Sequence, residues 1–311
     1  MDRLQLDKNA KLTGRVYFKD EVMWLGLSGS GASFTFDGTK LVLKLKGDNI
    51  AVGENPIDYA RIAVYVDGKR VVDEMIDCAE KEVTVIDHTE NAQSVVEIIK
   101  LSESPMSAVG VEAFTEGSAE ALPEKPLKIE FIGDSITCGY GVDDEDENHQ
   151  FTTATEDVTK AYAYKTAKAL DAEYSMFSAS GYGIVSGYTE GDEPISEQTI
   201  PQFYCSYGFS RGNFAGTAPQ DIPWDFSKYI PQIIVINLGT NDDSYCRDYE
   251  DKQAVFSKLY ADFLAVVREK NPQAYILCTV GIMGERIFPA VEEGIKTVSY
   301  THLRAHETAA N

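Results

Sequence analysis

The sequence predicts an α/β protein in which a jelly-roll-like β-sandwich precedes a three-layer domain built on a parallel sheet. Three observations support this prediction. Short apolar runs separated by Asp-Gly turns fill residues 1–115. Residues 116–126 contain Gly, Ser and two prolines without apolar periodicity, which is typical of a linker. From residue 127 to residue 297, apolar strands alternate with helices, and this alternation indicates a parallel sheet covered by helices.

Two Asp-Gly pairs indicate the hairpins of the first domain. Asp37 and Gly38 separate two runs of alternating apolar residues, and Asp67 and Gly68 separate two more. Asp-Gly suits a hairpin because both central positions of its turn need positive φ. Further strands are expected at residues 83–86, 95–101 and 108–114. Short strands at close spacing favour a sandwich, in which each sheet buries one apolar face.

The second domain is expected to contain four parallel strands and two long helices. The strands are predicted at residues 127–132, 174–178, 233–238 and 274–280, and the helices at 158–170 and 251–270. The second helix places Val255, Leu259, Phe263 and Val266 or Val267 on one apolar face. Active sites in such sheets lie beyond the carboxyl ends of the strands.

Two short motifs follow strands at that edge of the sheet. Gly133-Asp134-Ser135-Ile136 comes after the first strand, and Gly239-Thr240-Asn241-Asp242 comes after the third. A serine at a strand end can supply an attacking oxygen. An asparagine amide can donate to the oxyanion that forms when the serine attacks a carbonyl. The pair therefore indicates acyl transfer.

These motifs, with Phe177–Gly183 between them, resemble the SGNH/GDSL hydrolases, whose four blocks supply Ser, Gly, Asn and His in order. The resemblance implies that Ser135 is the nucleophile and that Gly181 and Asn241 donate to the oxyanion. The stretch 131–141 is most similar to carbohydrate esterase family 2, whose members remove acetyl groups from plant-type polysaccharides and have a β-sandwich before the hydrolase domain. It thus implies a serine acetylesterase acting on xylan-type carbohydrate through an acyl-enzyme.

The fourth block, Asp-x-x-His near the C-terminus, is missing. The residues from Val298 resemble a translated sequencing adapter, so residues 298–311 are predicted to be a non-native tail and are excluded from the fold. The hydrolase domain at 127–297 is then expected to be incomplete, with its general-base histidine lost and its activity impaired. The tail contains His302 and His306, while His88 in the sandwich and His149 in an acidic loop are given no role.

Composition limits the partners and cofactors. A net charge of −22 disfavours nucleic acid and anionic membrane surfaces, and fits a neutral carbohydrate substrate. The sequence contains no run of 18 or more apolar residues, so no membrane span is predicted. Five scattered cysteines do not form a disulfide framework, and the ligand spacings of zinc sites are absent, so no metal and no cofactor are expected. The N-terminus shows no signal peptide, which predicts a cytoplasmic protein.

Residues 182–226 are rich in aromatic side chains and are interpreted as an insertion at the active site. Trp224 and Tyr182 are the predicted substrate-binding residues, because flat aromatic faces can stack on sugar rings. Packing of the insertion itself is the alternative, since aromatic residues dominate protein cores as well as interfaces.

Two other functions and one other serine are left open by the sequence. The chain could be a lipid or thioester esterase of the same superfamily, or a carbohydrate-binding protein with a vestigial site. Ser210 lies in a Gly-x-Ser-x-Gly segment, the pattern of a nucleophile elbow. That motif needs a strand before it and a helix after it, and the loop-like sequence that follows argues against it.

Overall fold

The computed structural model describes residues 1–298 and the backbone of residues 303–307, which form two sheets. The strands of the N-terminal, antiparallel sheet are β1 (Asp2–Leu4), β2 (Lys11–Thr13), β3 (Val16–Lys19), β4 (Val22–Leu25), β5 (Gly31–Gly47), β6 (Ala60–Val66), β7 (Lys69–Ile76), β8 (Glu80–Lys100) and β9 (Val109–Ala121). A single-turn helix, α1 (Leu6–Asn9), joins β1 to β2. The predicted β-rich first domain is confirmed. The hairpin turn predicted at Asp37 and Gly38 is wrong, because both residues lie inside the single strand β5 and pair with β8. The strands expected at residues 83–86 and 95–101 are parts of one strand, β8.

The antiparallel sheet closes over one core. Its hydrogen-bonded order is β3-β4-β9-β5-β8-β6-β7, with β1 added to β9 and β2 to β5. Met23 in β4 and Ile76 in β7 lie toward opposite ends of this order, yet they belong to the same buried cluster. The sheet must therefore fold back on itself, and shifts of register around Lys40 in β5 provide bends of the kind that β-bulges introduce. The two faces of the predicted sandwich are parts of one continuous sheet.

Strand β9 extends into the predicted linker. Residues 116–121 pair with β5, where Gly117 lies opposite Gly38. Gly117 has a φ of 155°, and a Cβ there would lie 2.4 Å from the Asp37 carbonyl oxygen, so the pairing needs glycine. The irregular connection between the domains consequently starts at Leu122 rather than at residue 116.

The C-terminal sheet is parallel throughout, as predicted. Its strands are β10 (Lys128–Gly133), β11 (Glu173–Ser178), β12 (Ile233–Asn237), β13 (Tyr275–Val280) and β14 (Leu303–Glu307), in the order β11-β10-β12-β13-β14. The α-helices are α2 (Ser135–Cys138), α3 (Tyr162–Ala169), α4 (Thr240–Cys246), α5 (Glu250–Lys270) and α6 (Phe288–Thr297). Single 3-10 turns occur at Pro56–Asp58, Thr153–Thr155, Val158–Lys160, Pro219–Asp221 and Phe226–Lys228.

The predicted tail from Val298 lies largely outside the described residues. Within it, the backbone of residues 303–307 forms β14 and pairs in parallel with β13. The side chains of His302 and His306 are outside the described part of the chain. The non-native origin of this segment stays a prediction.

Helix α5 packs through a face that shares Phe263 and Val267 with the predicted one but differs in its first half. Its buried side chains are Phe256, Ser257, Tyr260, Ala261, Phe263, Leu264 and Val267. Val255 and Leu259, which were expected in the core, are 49% and 37% exposed. The larger rings of Phe256 and Tyr260 remove more apolar surface from water than Val255 and Leu259 would, so they take the inward positions. No helix in the described part of the chain is long and apolar enough to cross a lipid bilayer.

The order of the parallel strands places a crevice beside β10. The chain leaves β10 for β11 on one side and then returns to β12 on the other side. Loops that leave the carboxyl ends of two such strands diverge, and this opens a crevice where ligands bind in open α/β sheets. Ser135 follows β10 directly and Asn241 follows β12, so both predicted site residues lie at this point.

Candidate active site

The crevice contains a pocket of about 870 Å³. It is lined by Ser135, Ile136, Gly139, Tyr140, Val142, Ala161, Tyr162, Ser180, Gly181, Tyr188, Thr240, Asn241, Asp243, Ser244, Ile282, Met283 and Arg286. The structure thus brings Ser135, Gly181 and Asn241 into one pocket from three separate segments of the chain.

A tight turn presents Ser135 at the end of β10. A Cβ on Gly133 would lie 2.0 Å from Thr137 Oγ1, so only glycine lets α2 start this close to the strand. Asp134 caps α2, because its Oδ1 accepts a hydrogen bond of 3.1 Å from the Ile136 amide. Ser135 itself is half-buried and lines the pocket.

Three donors are available around the pocket for a developing oxyanion. The backbone amides of Ser135 and Gly181 donate to no other group of the described residues. Asn241 is buried, and its Nδ2 donates to the Tyr182 carbonyl at 2.8 Å. The side-chain amide nitrogen of an asparagine carries two hydrogens, so the second hydrogen of Asn241 Nδ2 remains to donate to a ligand. Gly181 has a φ of 79°, and a Cβ there would enter open space.

Helix α4 holds the loop that contains Gly181. Asp242 is fully buried and accepts hydrogen bonds from three consecutive amides, those of residues 184–186, at 2.6–3.1 Å. Ser244 Oγ accepts a further bond of 2.9 Å from the Thr189 amide. The loop and the asparagine are thus fixed to the same helix, so little reorganisation is needed when charge develops between them.

Burial shifts the pKa values of two carboxyl groups beside the site. It raises the pKa of Asp134 to about 7, and the negative charge of Asp242 adds to the shift against the opposing bond from Ile136. Burial also raises the pKa of Asp242 to about 6, although its three amide donors favour the ionised form. Asp134 Oδ2 is buried without a hydrogen-bond partner in the described residues, which agrees with a neutral carboxyl group.

We expect Asp134→Asn to flatten the pH dependence of stability. Because the folded-state pKa of Asp134 is raised from 3.8 to about 7, its contribution to stability is complete below about pH 4 and is lost as the pH rises toward 7. The neutral variant should lack this loss, which we expect to be about 2–4 kcal/mol. Urea unfolding at pH 4, 5.5 and 7 measures it, with the exposed Asp7→Asn as control. Parallel curves for the parent and Asp134→Asn would contradict the assignment.

No histidine with a described side chain lines the pocket. Asp146 and His149 have the Asp-x-x-His spacing, but they lie in the acidic loop rather than near the C-terminus. The His149 ring is 64% exposed and pairs with Asp144 at 2.8 Å and with Asp146 at 3.7 Å. His88 is exposed on β8 of the other domain. The described residues therefore do not identify the general base.

Trp224 and Tyr182 have side chains that do not line the pocket, so the geometry does not support the predicted stacking contacts. The Trp224 ring centroid lies 5.2 Å from the guanidinium carbon of Arg15. The Tyr182 ring packs 5.1 Å from that of Phe209, and only its carbonyl reaches the site, through Asn241. These contacts agree with a packing role, which was the alternative interpretation, and the stacking assignments stay a prediction.

The residues that the sequence did not predict form the rim of the pocket. Tyr140 and Tyr188 are 48% and 56% exposed, and Tyr140 stacks on Phe151 with centroids 4.3 Å apart. Ile282 and Met283 are also exposed and lie in the loop after β13. Tyr140 is five residues after Ser135 in the same motif, and residues 282–283 follow a strand end, so position relative to the sheet was the available signal.

Ser210, the serine of the elbow-like segment, is not part of the pocket. It is buried, and its Oγ donates to the Met106 carbonyl at 2.5 Å. It is not preceded by a strand or followed by a helix, as a nucleophile elbow requires.

Comparison with known proteins agrees with the geometry. Residues 131–300 match the GDSL-like lipase/acylhydrolase family, and residues 12–126 match the carbohydrate esterase 2 N-terminal family. The chain is 32% identical to the cellulase/esterase CelE of Acetivibrio thermocellus over 82% of its own length and 29% of that protein. It is 28% identical to an acetylxylan esterase/glucomannan deacetylase of Cellvibrio japonicus, over 88% of this chain and 72% of that protein.

Solved structures show the same fold over both domains. A family two carbohydrate esterase from Clostridium thermocellum in complex with cellohexaose is 27% identical, with a TM-score of 0.79 over 96% of this chain and 88% of that one. An acetyl xylan esterase from Butyrivibrio proteoclasticus is 20% identical, with a TM-score of 0.85 over 98% and 89%. The domain ahead of the hydrolase domain matches the carbohydrate esterase 2 N-terminal family, and the chain belongs to the GDSL-like lipase/acylhydrolase family.

Proposed function

We propose that this chain is a serine esterase that removes acetyl groups from carbohydrate. Its family makes it a carboxylic ester hydrolase. The observation that carries the proposal is the meeting of Ser135, Gly181 and Asn241 in one pocket at the carboxyl edge of the parallel sheet. The substrate class is supported by the carbohydrate esterases and acetylxylan esterases among its relatives.

The reaction divides into two acyl transfers. Ser135 Oγ attacks the acetyl carbonyl, and its proton passes to a base that the described residues do not identify. The tetrahedral oxyanion accepts hydrogen bonds from the amides of Ser135 and Gly181 and from Asn241 Nδ2. The C–O bond to the sugar then breaks, and the sugar oxygen takes the proton. Water attacks the acetyl-serine in the same way and releases acetate, and no step uses a cofactor.

The rim suits a neutral ring system better than a charged ligand. Tyr140 and Tyr188 offer flat faces of the kind that stack on sugar rings. Among the described residues of the lining, Arg286 alone carries a guanidinium, and it is bound through two bonds of 2.8 and 2.9 Å to Asp243. The positive charge at the rim is therefore compensated. The net charge of −22 also favours a neutral substrate.

The substrate class is tested by comparing esters. We expect an aryl acetate to be hydrolysed at least about tenfold faster than the aryl octanoate, as the names of the similar acetylxylan esterases suggest. The comparison is needed because Ile136, Ile282 and Met283 in the lining also offer apolar contacts to a longer acyl chain. Acetylated xylo-oligosaccharide should release acetate, measured by coupled assay, with the Ser135→Ala chain as blank. Faster hydrolysis of the octanoate would favour a lipid or thioester esterase. Binding of the oligosaccharide without release of acetate would favour a carbohydrate-binding protein.

A further inference from the structure

A loop of the N-terminal domain reaches the back of the active site. Glu103, in the connection between β8 and β9, is fully buried. Its Oε2 accepts a hydrogen bond of 2.5 Å from the amide of Ser180, the residue before Gly181. The same oxygen lies 3.8 Å from the sulfur of Cys138, which ends helix α2 three residues after Ser135. One carboxyl group therefore contacts both helix α2, which begins with the nucleophile, and the loop at residues 179–189 that contains Gly181, here called the oxyanion loop.

Glu103 is itself held firmly. Its amide donates to Oε2 of the buried Glu156 at 3.0 Å, and its carbonyl accepts a bond of 2.9 Å from the Lys100 ammonium. Lys100 is fully buried and also donates to the Ser102 carbonyl at 2.7 Å. Glu156 lies in the segment whose carbonyls bind Arg61 of β6, at 3.0 Å from Ala154 and 3.2 Å from Glu156. The backbone of Glu103 is thus fixed by both domains.

The carboxyl groups of the two glutamates lie close together in the interior. One carboxylate oxygen each of Glu103 and Glu156 and the sulfur of Cys138 lie within 4.8 Å of one another. Oε1 of each glutamate is buried without a hydrogen-bond partner in the described residues. Burial raises the pKa of both carboxyl groups. Two carboxylates this close in a buried site oppose each other's ionisation, so we infer that the pair shares one proton. Cys138 keeps its thiol proton, since burial raises its pKa and its sulfur contacts Ser178 Oγ at 3.2 Å.

Helix α4 fixes the oxyanion loop only after Gly181, at residues 184–186 and 189. The start of the loop needs other contacts to fix its conformation. Gly181 lacks a Cβ and adopts a φ of 79°, so its own backbone does not select this conformation over others. The Gly181 carbonyl accepts one bond of 2.8 Å from the Tyr188 amide, and the Tyr182 amide makes a longer bond of 3.3 Å to the Ala179 carbonyl. The bond from the Ser180 amide to Glu103 fixes the Ala179–Ser180 peptide, which precedes the peptide that carries the Gly181 amide.

We propose that Glu103 is a positioning residue that holds the Ser180 amide, and through it the Gly181 amide, where the oxyanion will lie. The proposal rests on the proposed function, since it assigns Gly181 as an oxyanion donor. It makes the N-terminal domain a working part of the esterase site and not only an accessory. A displacement of a catalytic group by about 1 Å can lower the rate roughly a hundredfold, so the contact that fixes the Gly181 amide matters for catalysis.

The test compares Glu103→Leu with Glu103→Gln. Leucine removes the acceptor, whereas glutamine keeps a carbonyl oxygen for Ser180 and offers an N–H to Glu156 in place of the shared proton. Glu130→Gln is the matched control, because Glu130 is also buried between the domains but contacts Arg15 and Tyr204 instead of the pocket. An arylboronic acid, which forms a tetrahedral adduct on a serine hydroxyl, is titrated into each chain and followed by amide NMR.

We expect Glu103→Leu to weaken the boronic acid about tenfold to a hundredfold, while Glu103→Gln and Glu130→Gln stay within about threefold of the parent. The Ser180 amide should exchange slowly with deuterium in the parent and in Glu103→Gln, and fast in Glu103→Leu. Fast exchange in the parent would overturn the proposal without any variant, which covers the case that Glu103→Leu does not fold.

The other outcomes separate the two proposals. A Glu103→Leu chain that forms the adduct with the parental affinity would refute the positioning role of Glu103 and leave the proposed function intact. A parent that forms no adduct on Ser135, although its Ser180 amide exchanges slowly, would refute the proposed function and leave the hold on the loop intact. A chelator that weakens the adduct in the parent would show that a divalent cation, not a proton, occupies the glutamate pair, and would overturn the predicted tolerance of Glu103→Gln.

Discussion

Replacing Ser135 with alanine is expected to lower the rate of aryl acetate hydrolysis by at least about a thousandfold when the general base is in place, and to leave the fold unchanged. If the base is lost, as the sequence predicts, the further loss should be small, because nucleophile and base act as a unit. The two other serine hydroxyl groups of the lining are occupied or hidden. Ser244 Oγ donates to the Asn241 carbonyl at 2.6 Å, and Ser180 Oγ is buried. No second serine in the described lining is therefore placed to take over. Initial rates at equal protein concentration, with circular dichroism to confirm folding, measure the effect.

Ser210→Ala is the control for this experiment. Ser210 lies in the only Gly-x-Ser-x-Gly segment of the sequence, but its Oγ is engaged with Met106 away from the pocket. We expect its removal to change the rate by less than about threefold. A Ser210→Ala chain with greatly reduced activity or, with the general base in place, a Ser135→Ala chain as active as the parent would contradict the assignment of Ser135 as the nucleophile and would favour Ser210.

Most of the fold followed from local patterns in the sequence. The strands that became β10, β11, β12 and β13 were predicted to within one residue at most ends, because strands buried on both faces are nearly continuous apolar runs. The turn at Asp67 and Gly68 was predicted because its φ requirements are local. The extension of β9 to Ala121 was missed, since it depends on pairing with β5, some 80 residues away in the sequence.

The centre of the site was easier to predict than its surroundings. Ser135, Gly181 and Asn241 each follow a strand of the same sheet, so their positions relative to that sheet fix where they meet. The stacking assignments to Trp224 and Tyr182 were based on composition alone, and composition does not say which way a ring in a long insertion faces. The contact of Glu103 with Ser180 joins residues 77 positions apart in two different domains, and no local pattern announces it.

The insertion that holds these rings also explains how the domains are joined. Its Phe214 stacks on Trp24 of β4 with centroids 4.6 Å apart, and the Tyr207 hydroxyl donates to the Trp24 carbonyl at 2.7 Å. Tyr204 and Phe209 of the same insertion are buried in the core of the hydrolase domain. The aromatic residues therefore serve mainly as the packing between two domains, and the pocket receives Tyr188 alone from this group.

Arg15 is the side chain whose loss is expected to destabilise the chain most. It comes from the N-terminal domain and is fully buried against the hydrolase domain. Its guanidinium donates to the carbonyls of Tyr204 and Ser206 at 2.6 and 2.5 Å, and to Glu130 of β10 at 3.2 Å. It also lies over the rings of Phe177, Tyr204, Trp224 and Phe226, at 4.4–5.3 Å from their centroids.

Arg15→Met should lower the free energy of unfolding by about 3–5 kcal/mol, because it leaves Glu130 Oε1 and two carbonyls buried without the donor that Arg15 supplies. The double variant Arg15→Met/Glu130→Gln should recover part of this loss, since it removes the uncompensated charge as well. Lys270→Met, which breaks an exposed pair with Glu269, should cost only a small fraction of that. Urea unfolding of the parent and the three variants measures these differences. If Arg15→Met cost no more than Lys270→Met, the buried cation would not be what holds the two domains together.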